Sequence, residues 1–181
     1  MDPRLQEMLD HHEITRTVKE YCHGCDRCDE ALMGSVYTRD SWDDHGAVSL
    51  PGGEFAHVMT GMILDTTESL SHLLGQSLID VRGDEAGAET YFLAVSHSPR
   101  EDGVRMCNQL GGRFVDTLVR EDDGRWRIRH RVVLRDWSVS LPVEADWTDD
   151  AGLRDGARSG EDPACAVLGR VHGGNSYGAA P

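Results

Sequence analysis

The sequence has little positive charge, and almost all of it comes from arginine. Its 18 Lys+Arg residues stand against 32 Asp+Glu, which gives a formal net charge of −14, and Lys19 is the only lysine. A surface this acidic repels phosphate backbones and anionic membranes, so nucleic-acid and membrane partners are not expected. With a single lysine, Schiff-base chemistry is not expected either.

Long apolar runs are also missing. No segment approaches the length of about 20 apolar residues that spans a bilayer. The N-terminus, Met1-Asp2-Pro3-Arg4, lacks the basic-then-apolar order of a signal peptide. We therefore expect a soluble cytoplasmic protein. A chain of 181 residues, 39% hydrophobic and 28% charged, fits one globular domain with or without a tail.

The cysteines lack the pattern of a disulfide framework, because they are five in number and no export signal precedes them. Cys22, Cys25 and Cys28 have the spacing of an iron–sulfur ligand run, but a fourth thiolate is missing nearby. Cys22 and Cys25 also continue an apolar helical stripe. We interpret these residues as buried thiols, and we predict neither a metal nor another cofactor.

Helical periodicity comes first along the chain and strand periodicity follows. Asp2-Pro3 is a helix start signal, a register shift near His11-His12 predicts a bend or two helical pieces, and Asp29 is positioned to cap a short second helix. A strand over 42–50 and a helix over 53–65 come next, followed by four strands over 69–81, 89–97, 104–119 and 125–139. Short turns join these strands, which predicts an antiparallel meander and an α+β domain over 1–140. Residues 141–181 are acidic and glycine-rich, and we interpret them as a lid, a docking arm or a partly disordered tail.

Asp26 is a carboxylate that extends the apolar helical face formed by Ile14, Val18 and Cys22. Burial of a carboxylate is costly unless a partner compensates for it. One interpretation is therefore that Asp26 pairs with another functional group. The alternative is that it lies beyond the helix end, in water or capping the next helix.

Two histidines lie on neighbouring predicted strands. His72 alternates with Leu74 and Leu78, so it is either a hydrogen-bonded core residue or a general base held by a carboxylate. His97 ends the next strand and shares its parity with Tyr91. These strands could direct both imidazoles into one cavity.

Other charged residues favour ordinary surface roles. We interpret Asp40, Asp43, Asp44 and His45 as a solvated loop rather than a metal site. The alternating arginines of the last strand predict a charged outer face, although Arg131 or Arg135 could instead contact a substrate oxygen. The Gly111-Gly112 pair predicts a bulge or bend.

Taken in their order along the chain, the predicted helices and strands and the motifs in them resemble the SnoaL-like family of the nuclear transport factor 2-like superfamily over about residues 10–140. The resemblance is carried by residues 13–21, 25–29, 43–46, 71–76, 89–91, 111–116 and 124–138. It implies a cone-like α+β fold, in which helices pack on a strongly curved antiparallel sheet that encloses a mostly apolar pocket. It also implies a homo-oligomer, either a dimer or a trimer.

Within that superfamily the chain is similar to scytalone dehydratase, hexachlorocyclohexane dehydrochlorinase and bile-acid 7α-dehydratase. This similarity implies a catalytic dyad of Asp26 and His72, with Tyr21 and His97 as further catalytic residues. Arg135 matches a pocket arginine. Tyr91, Arg135 and Trp42 are the candidate substrate-binding residues.

The implied chemistry needs no metal or redox cofactor. His72 would remove a carbon-bound proton and Asp26 would stabilise the imidazolium, while Tyr21 would donate to a developing oxyanion and His97 would protonate the departing hydroxide. We therefore expect a dehydratase acting on a mid-sized, apolar alicyclic, steroid-like or polyketide-like alcohol or ketone. The alternatives are a cyclase or isomerase using the same pair, and a non-catalytic ligand-binding protein or oxygenase small subunit.

Overall fold

The computed structural model describes residues 2–99, 102–144, 152–169 and 172–173. In this part of the chain three helices and a six-stranded sheet are followed by one short helix. The helices are α1 (Pro3–Arg27), α2 (Glu30–Ser35), α3 (Gly52–Thr66) and α4 (Pro163–Val167). The strands are β1 (Tyr37–His45), β2 (Val48–Pro51), β3 (Ser69–Arg82), β4 (Glu85–Pro99), β5 (Arg105–Arg120) and β6 (Trp126–Pro142). The predicted α+β class is confirmed.

Helix α1 is the longest helix described and carries part of the cavity wall. Its N-cap is Asp2, whose side chain accepts a hydrogen bond from the Arg4 amide at 2.9 Å. The helix continues without interruption for 25 residues, so the predicted division into two helical pieces near His11 is wrong. It ends at Cys28, which adopts a left-handed conformation with φ of 54°. Asp29 then caps α2, as predicted, by accepting from the Leu32 amide.

The sheet has the order β2-β1-β6-β5-β4-β3 and is not closed into a barrel. Strands β3 to β6 form the predicted antiparallel meander. However, β1, the first strand along the chain, pairs in parallel with β6, the last strand. The sheet is therefore mixed. The single strand predicted over 42–50 is a hairpin, turned at Gly46 with φ of 76°.

Two register shifts change the face to which β6 directs its side chains. Each shift inserts one extra residue into β6, first at Arg129 and then at Asp136. Trp126 is buried before the first shift and Arg131 after it, although the two positions differ in parity. The predicted outer charged face is therefore wrong for Arg131. The second shift lies opposite Gly111-Gly112 and confirms the predicted bulge.

The helices cover the concave face of the sheet, and their apolar side chains fill the space between. The core includes Ile14 from α1, Phe55 from α3, Phe114 from β5 and Trp126 from β6. None of the helices in the described ranges combines the length and apolar character of a membrane-spanning segment.

Part of the predicted tail packs beside the C-terminal ends of α1 and α3. The Arg27 guanidinium lies 3.5 Å from the Asp162 carboxylate, and Arg158 donates to the Thr67 carbonyl at 2.8 Å. Residues 145–151, 170–171 and 174–181, which belong to the same predicted tail, lie outside the described residues. A lid or docking role for this segment stays a prediction.

Candidate active site

The last turn of α1 places Asp26 against β3, where it contacts His72 twice. Its Oδ1 lies 2.6 Å from the His72 Nδ1, and its Oδ2 accepts the His72 backbone N–H at 2.9 Å. The interpretation of Asp26 as a solvated or capping residue is therefore wrong. An ionised carboxylate only accepts hydrogen bonds, so Nδ1 carries the proton and Nε2 is left with its lone pair. No described residue forms a hydrogen bond with that Nε2.

His72 lines a cavity of about 560 Å³ between the helices and the sheet. This volume lies within the range of small-molecule sites. Apolar and aromatic side chains form most of the wall, among them Met59, Ile63, Leu70, Phe92 and Phe114. The Phe92 and Phe114 rings stack with their centroids 4.3 Å apart. The cavity therefore suits a largely apolar ligand.

Polar side chains are concentrated where β5 and β6 extend beyond the core. Asn108, Gln109, Ser138 and Ser140 line this end of the cavity, together with Arg135. Arg135, Ser138 and Ser140 are solvent-exposed, so this end is the mouth of the cavity. Asn108 donates to Ser98 at 2.8 Å and accepts from Ser140 at 2.6 Å. Oxygen atoms of a ligand would find hydrogen-bonding partners here.

A second aspartate–histidine pair lies on β1. His45 lines the cavity, and its Nδ1 forms a short hydrogen bond with Oδ1 of Asp43. The other Asp43 oxygen accepts from the Tyr37 hydroxyl, and Asp43 is 0% exposed. Strand alternation turns Asp43 and His45 inward together, so the predicted solvated loop is wrong. The His45 ring stacks on Phe55 at a centroid distance of 4.5 Å.

Tyr21 joins this second pair to the cavity. Its hydroxyl lies 3.2 Å from the His45 Nε2, and its side chain lines the cavity. Burial raises the pKa of Tyr21 well above its usual range, which keeps it a neutral phenol. The Arg131 guanidinium, centred 4.2 Å from the Tyr21 ring centroid, opposes part of this pKa shift.

Arg131 is a completely buried cation behind the Tyr21 ring. It pairs with Asp116 through two hydrogen bonds of 2.7 Å, from Nε and Nη2. Its Nη1 has no hydrogen-bond partner within the described residues. The guanidinium lies over the faces of Tyr21 and Phe114 instead. The pair therefore packs against the Tyr21 and Phe114 rings, both of which line the cavity.

The cysteines of α1 lie in the core. Burial raises the pKa of Cys22 to about 12 and that of Cys25 well above its usual range, so both thiols are protonated. Cys25 also lines the cavity. In the ranges that the structure describes, no group of three or more His, Cys, Asp or Glu side chains could hold a metal ion.

Three predicted site residues do not line the cavity. His97 pairs in register with Ser69, and its Nδ1 lies 2.9 Å from the Ser69 hydroxyl oxygen. Tyr91 and His97 alternate with the lining residues Phe92, Ala94 and Ser96, so they face the other side of β4. The prediction that His72 and His97 share one cavity is therefore wrong.

Trp42 is also outside the cavity, because it alternates with the inward-facing Asp43 on β1. The residue is 45% exposed, and its Nε1 donates to the Ser49 hydroxyl at 2.8 Å. Of the residues expected to bind substrate, Arg135 alone lines the cavity. Sequence reasoning missed His45 and its partner Asp43. The available signal was the Asp-x-His spacing, which puts both side chains on one face of a strand.

The protein has a curved open sheet, and helices cover a cavity on one side of it. This is the α+β cone fold of the nuclear transport factor 2-like superfamily. The sequence profile of the SnoaL-like domain matches residues 6–132. The chain therefore belongs to the SnoaL-like domain family. A search of curated proteins finds no significant match.

Solved structures support the fold at low sequence identity. A scytalone dehydratase-like protein from Novosphingobium aromaticivorans is 20% identical with a TM-score of 0.67, over 77% of this chain and 92% of that chain. The hexachlorocyclohexane dehydrochlorinase LinA-type3 from Novosphingobium barchaimii is 14% identical with a TM-score of 0.67, over 79% and 96%. A protein of unknown function from Mycobacterium tuberculosis is 19% identical with a TM-score of 0.63, over 93% and 90%.

Proposed function

We propose that the protein is a cofactor-independent lyase, a dehydratase in which His72 removes a carbon-bound proton from the substrate. The observation that carries this proposal is the hydrogen-bonded Asp26–His72 pair on the wall of an apolar cavity. The similarity in fold to a scytalone dehydratase-like protein and to a dehydrochlorinase supports an elimination reaction.

The arrangement of the pair suits a general base. Asp26 fixes the ring through Nδ1, which leaves Nε2 as the proton acceptor, and the carboxylate stabilises the imidazolium once it forms. The surrounding apolar wall strengthens this charge interaction by excluding water. Tyr21, a neutral phenol on the same cavity, is the group we assign to donate to the oxygen that develops negative charge as the leaving group departs. His97 lies outside the cavity, and we assign it no role.

The cavity also indicates a substrate class. Its volume of about 560 Å³ and its aromatic walls suit a mid-sized alicyclic, steroid-like or polyketide-like skeleton. The polar groups at the mouth, including Asn108, Gln109 and Arg135, would bind its hydroxyl or carbonyl oxygens.

The test is a screen of hydroxylated polycyclic ketones for loss of water, with products analysed by mass spectrometry. We expect turnover by the wild-type protein, none by His72→Ala, and unchanged turnover by His57→Gln. His57 is a suitable control because it is an exposed histidine whose partner is Glu30. Turnover by a folded His72→Ala variant would contradict the base assignment.

The same screen separates the alternatives. A product of unchanged mass would indicate an isomerase or cyclase that uses the same base. Saturable binding without any turnover would indicate a ligand-binding protein or a subunit on this fold.

A further inference from the structure

The second aspartate–histidine pair is Asp43 and His45, and His45 lines the same cavity as His72. We propose that His45 is a proton-relay residue, which acts through Tyr21 to supply a proton to the leaving group of the substrate. This inference rests on the proposed function, because it assigns the acid that complements His72 as base.

Three hydrogen bonds connect the relay in a line. Tyr37 donates to one oxygen of Asp43, the other oxygen of Asp43 contacts His45 Nδ1, and His45 Nε2 lies 3.2 Å from the Tyr21 hydroxyl oxygen. Stacking on Phe55 holds the His45 ring in place. Only the Tyr21 end of this line needs to contact the substrate.

The Phe114 ring brings Tyr21 and His72 to one part of the cavity. Its centroid lies 5.6 Å from the Tyr21 ring and 6.4 Å from the His72 ring. A substrate that packs on Phe114 is therefore within reach of both groups.

The protonation state of His45 decides what Tyr21 offers the substrate. With a neutral His45 whose Nδ1–H points to Asp43, the Tyr21 hydroxyl donates to Nε2 and presents only oxygen lone pairs to the cavity. With His45 protonated at both nitrogens, Nε2–H donates to Tyr21, and the phenol proton is free to point at the substrate. The ionised Asp43 carboxylate, completely buried, is stabilised by such an imidazolium.

Tyr21 also needs a group that returns its proton. Burial disfavours the phenolate, so a Tyr21 that gives its proton to the leaving group must be reprotonated as it does so. His45 is in hydrogen-bond contact with that hydroxyl. The Cys25 thiol also interacts with Tyr21, but burial raises the pKa of Cys25 well above its usual range, so this thiol is a poor proton donor.

The proton transfers balance over the reaction. The proton on carbon goes to His72 Nε2, the electron pair of the broken C–H bond forms the new double bond, and the carbon–oxygen bond to the leaving group breaks. The phenol proton of Tyr21 goes to the departing oxygen, and the Nε2 proton of His45 goes to Tyr21. Afterwards His72 releases one proton to water and His45 takes one from water.

A matched pair of probe substrates tests this relay. We would use the para-nitrophenoxy and para-methoxyphenoxy derivatives of butanone, both of which lose a phenol from the carbon β to the ketone. The nitrophenolate leaves without protonation, whereas the more basic methoxyphenolate benefits from an acid. Both eliminations need a base to remove the proton next to the carbonyl.

We expect His45→Gln to lower kcat/KM for the methoxy probe by about a hundredfold, the low end of what a positioned acid contributes. The same variant should change kcat/KM for the nitro probe by less than about threefold, since proton removal limits that reaction. Tyr21→Phe should give the same leaving-group selectivity, and the double variant should be no worse than either single one. His57→Gln is the control variant, and circular dichroism confirms folding of each.

The outcomes separate this inference from the proposed function. If the wild-type protein shows no His72-dependent elimination with either probe, the proposed function fails and the relay fails with it. If elimination depends on His72 but a folded His45→Gln variant slows both probes equally, or slows neither, the relay is overturned and the proposed base stands.

Discussion

The cavity is lined by the histidines of two aspartate–histidine pairs, and the pairs differ in what surrounds them. In both, a carboxylate oxygen contacts the Nδ1 of the imidazole. Asp26 also accepts the backbone N–H of His72, and both side chains of that pair are partly exposed, at 16% and 11%. Asp43 is fully buried and also accepts a hydrogen bond from the Tyr37 hydroxyl, while the Nε2 of His45 contacts the Tyr21 hydroxyl.

Under the two proposals, the group that contacts the histidine Nε2 distinguishes the roles of the two pairs. The Nε2 of His72 has no hydrogen bond to a described residue, which suits a group that accepts a proton from a substrate. The Nε2 of His45 is engaged by a phenol, which suits a group that passes a proton to it. Two pairs of the same composition can thus supply a base and an acid to one cavity.

The largest expected effect comes from Asp26→Asn. The amide cannot stabilise an imidazolium and can favour the wrong tautomer of His72, so kcat for the nitro probe should fall roughly a thousandfold or more. Steady-state kinetics on the folded variant measures this. A rate within tenfold of the wild-type value would show that His72 does not depend on Asp26.

Asp43→Asn should affect stability more than Asp26→Asn does. Asp43 is fully buried, and the neutral amide that replaces its carboxylate has one acceptor oxygen in place of the two that contact the His45 Nδ1 and the Tyr37 hydroxyl. We expect the free energy of unfolding to fall by about 3 kcal/mol. For the partly exposed Asp26, about 1 kcal/mol is expected. Urea denaturation of both variants measures the difference, and equal losses would contradict the distinction between the two pairs.

Tyr37→Phe tests the buried end of the second pair alone. It removes one hydrogen bond to Asp43 while it retains the ring, so we expect a loss of about 1–2 kcal/mol in the free energy of unfolding. The rate with the nitro probe should stay near the wild-type value. A loss of that rate comparable with the effect of Asp26→Asn would mean that the two pairs are not separate in function.

Asp10, a buried carboxylate without a histidine partner, gives the smallest expected effect. It also provides a reference for how the free energy of unfolding depends on acid pH. Burial alone would raise the pKa of Asp10, but hydrogen bonds from Arg120, Trp126 and Gln6 outweigh it, and its pKa is lowered. The stabilisation is therefore present above the unfolded-state pKa and is lost as the pH falls through the lower folded-state pKa.

Asp10→Asn should accordingly cost about 1 kcal/mol of unfolding free energy at neutral pH. Its difference from the wild-type protein should shrink below about pH 4. Urea denaturation at several pH values measures this, and a difference that grows in acid would contradict the sign. The rates with both probes should not change.

Much of the fold was predictable from the sequence, because periodicity and turn chemistry are local. The capped α1 and α2 and the meander of long strands follow from such signals. The parallel pairing of β1 with β6 is a contact between distant segments, and no local pattern encodes it. The buried position of Arg131 was not predictable either, because the extra residue at Arg129 reverses the alternation of faces along β6.

The resemblance located only part of the candidate site, because it placed Tyr21 and His72 at the cavity correctly but not His97. Asp26 and His72 lie in contact at the expected places. Strand parity correctly placed His97 and Tyr91 on the same face of β4, but it could not show which face of β4 borders the cavity. His45 was missed because Asp43 lies in a charged run, and such a run ordinarily indicates solvent exposure.

The protonated thiol of Cys25 has a consequence for the lifetime of the proposed enzyme. Loss of water from a β-hydroxy ketone gives an α,β-unsaturated ketone, an electrophile that alkylates thiolates. Cys25 lines the cavity in which this product would form, yet burial raises its pKa well above its usual range. A neutral thiol is a poor nucleophile, so the catalyst would be protected from inactivation by its own product.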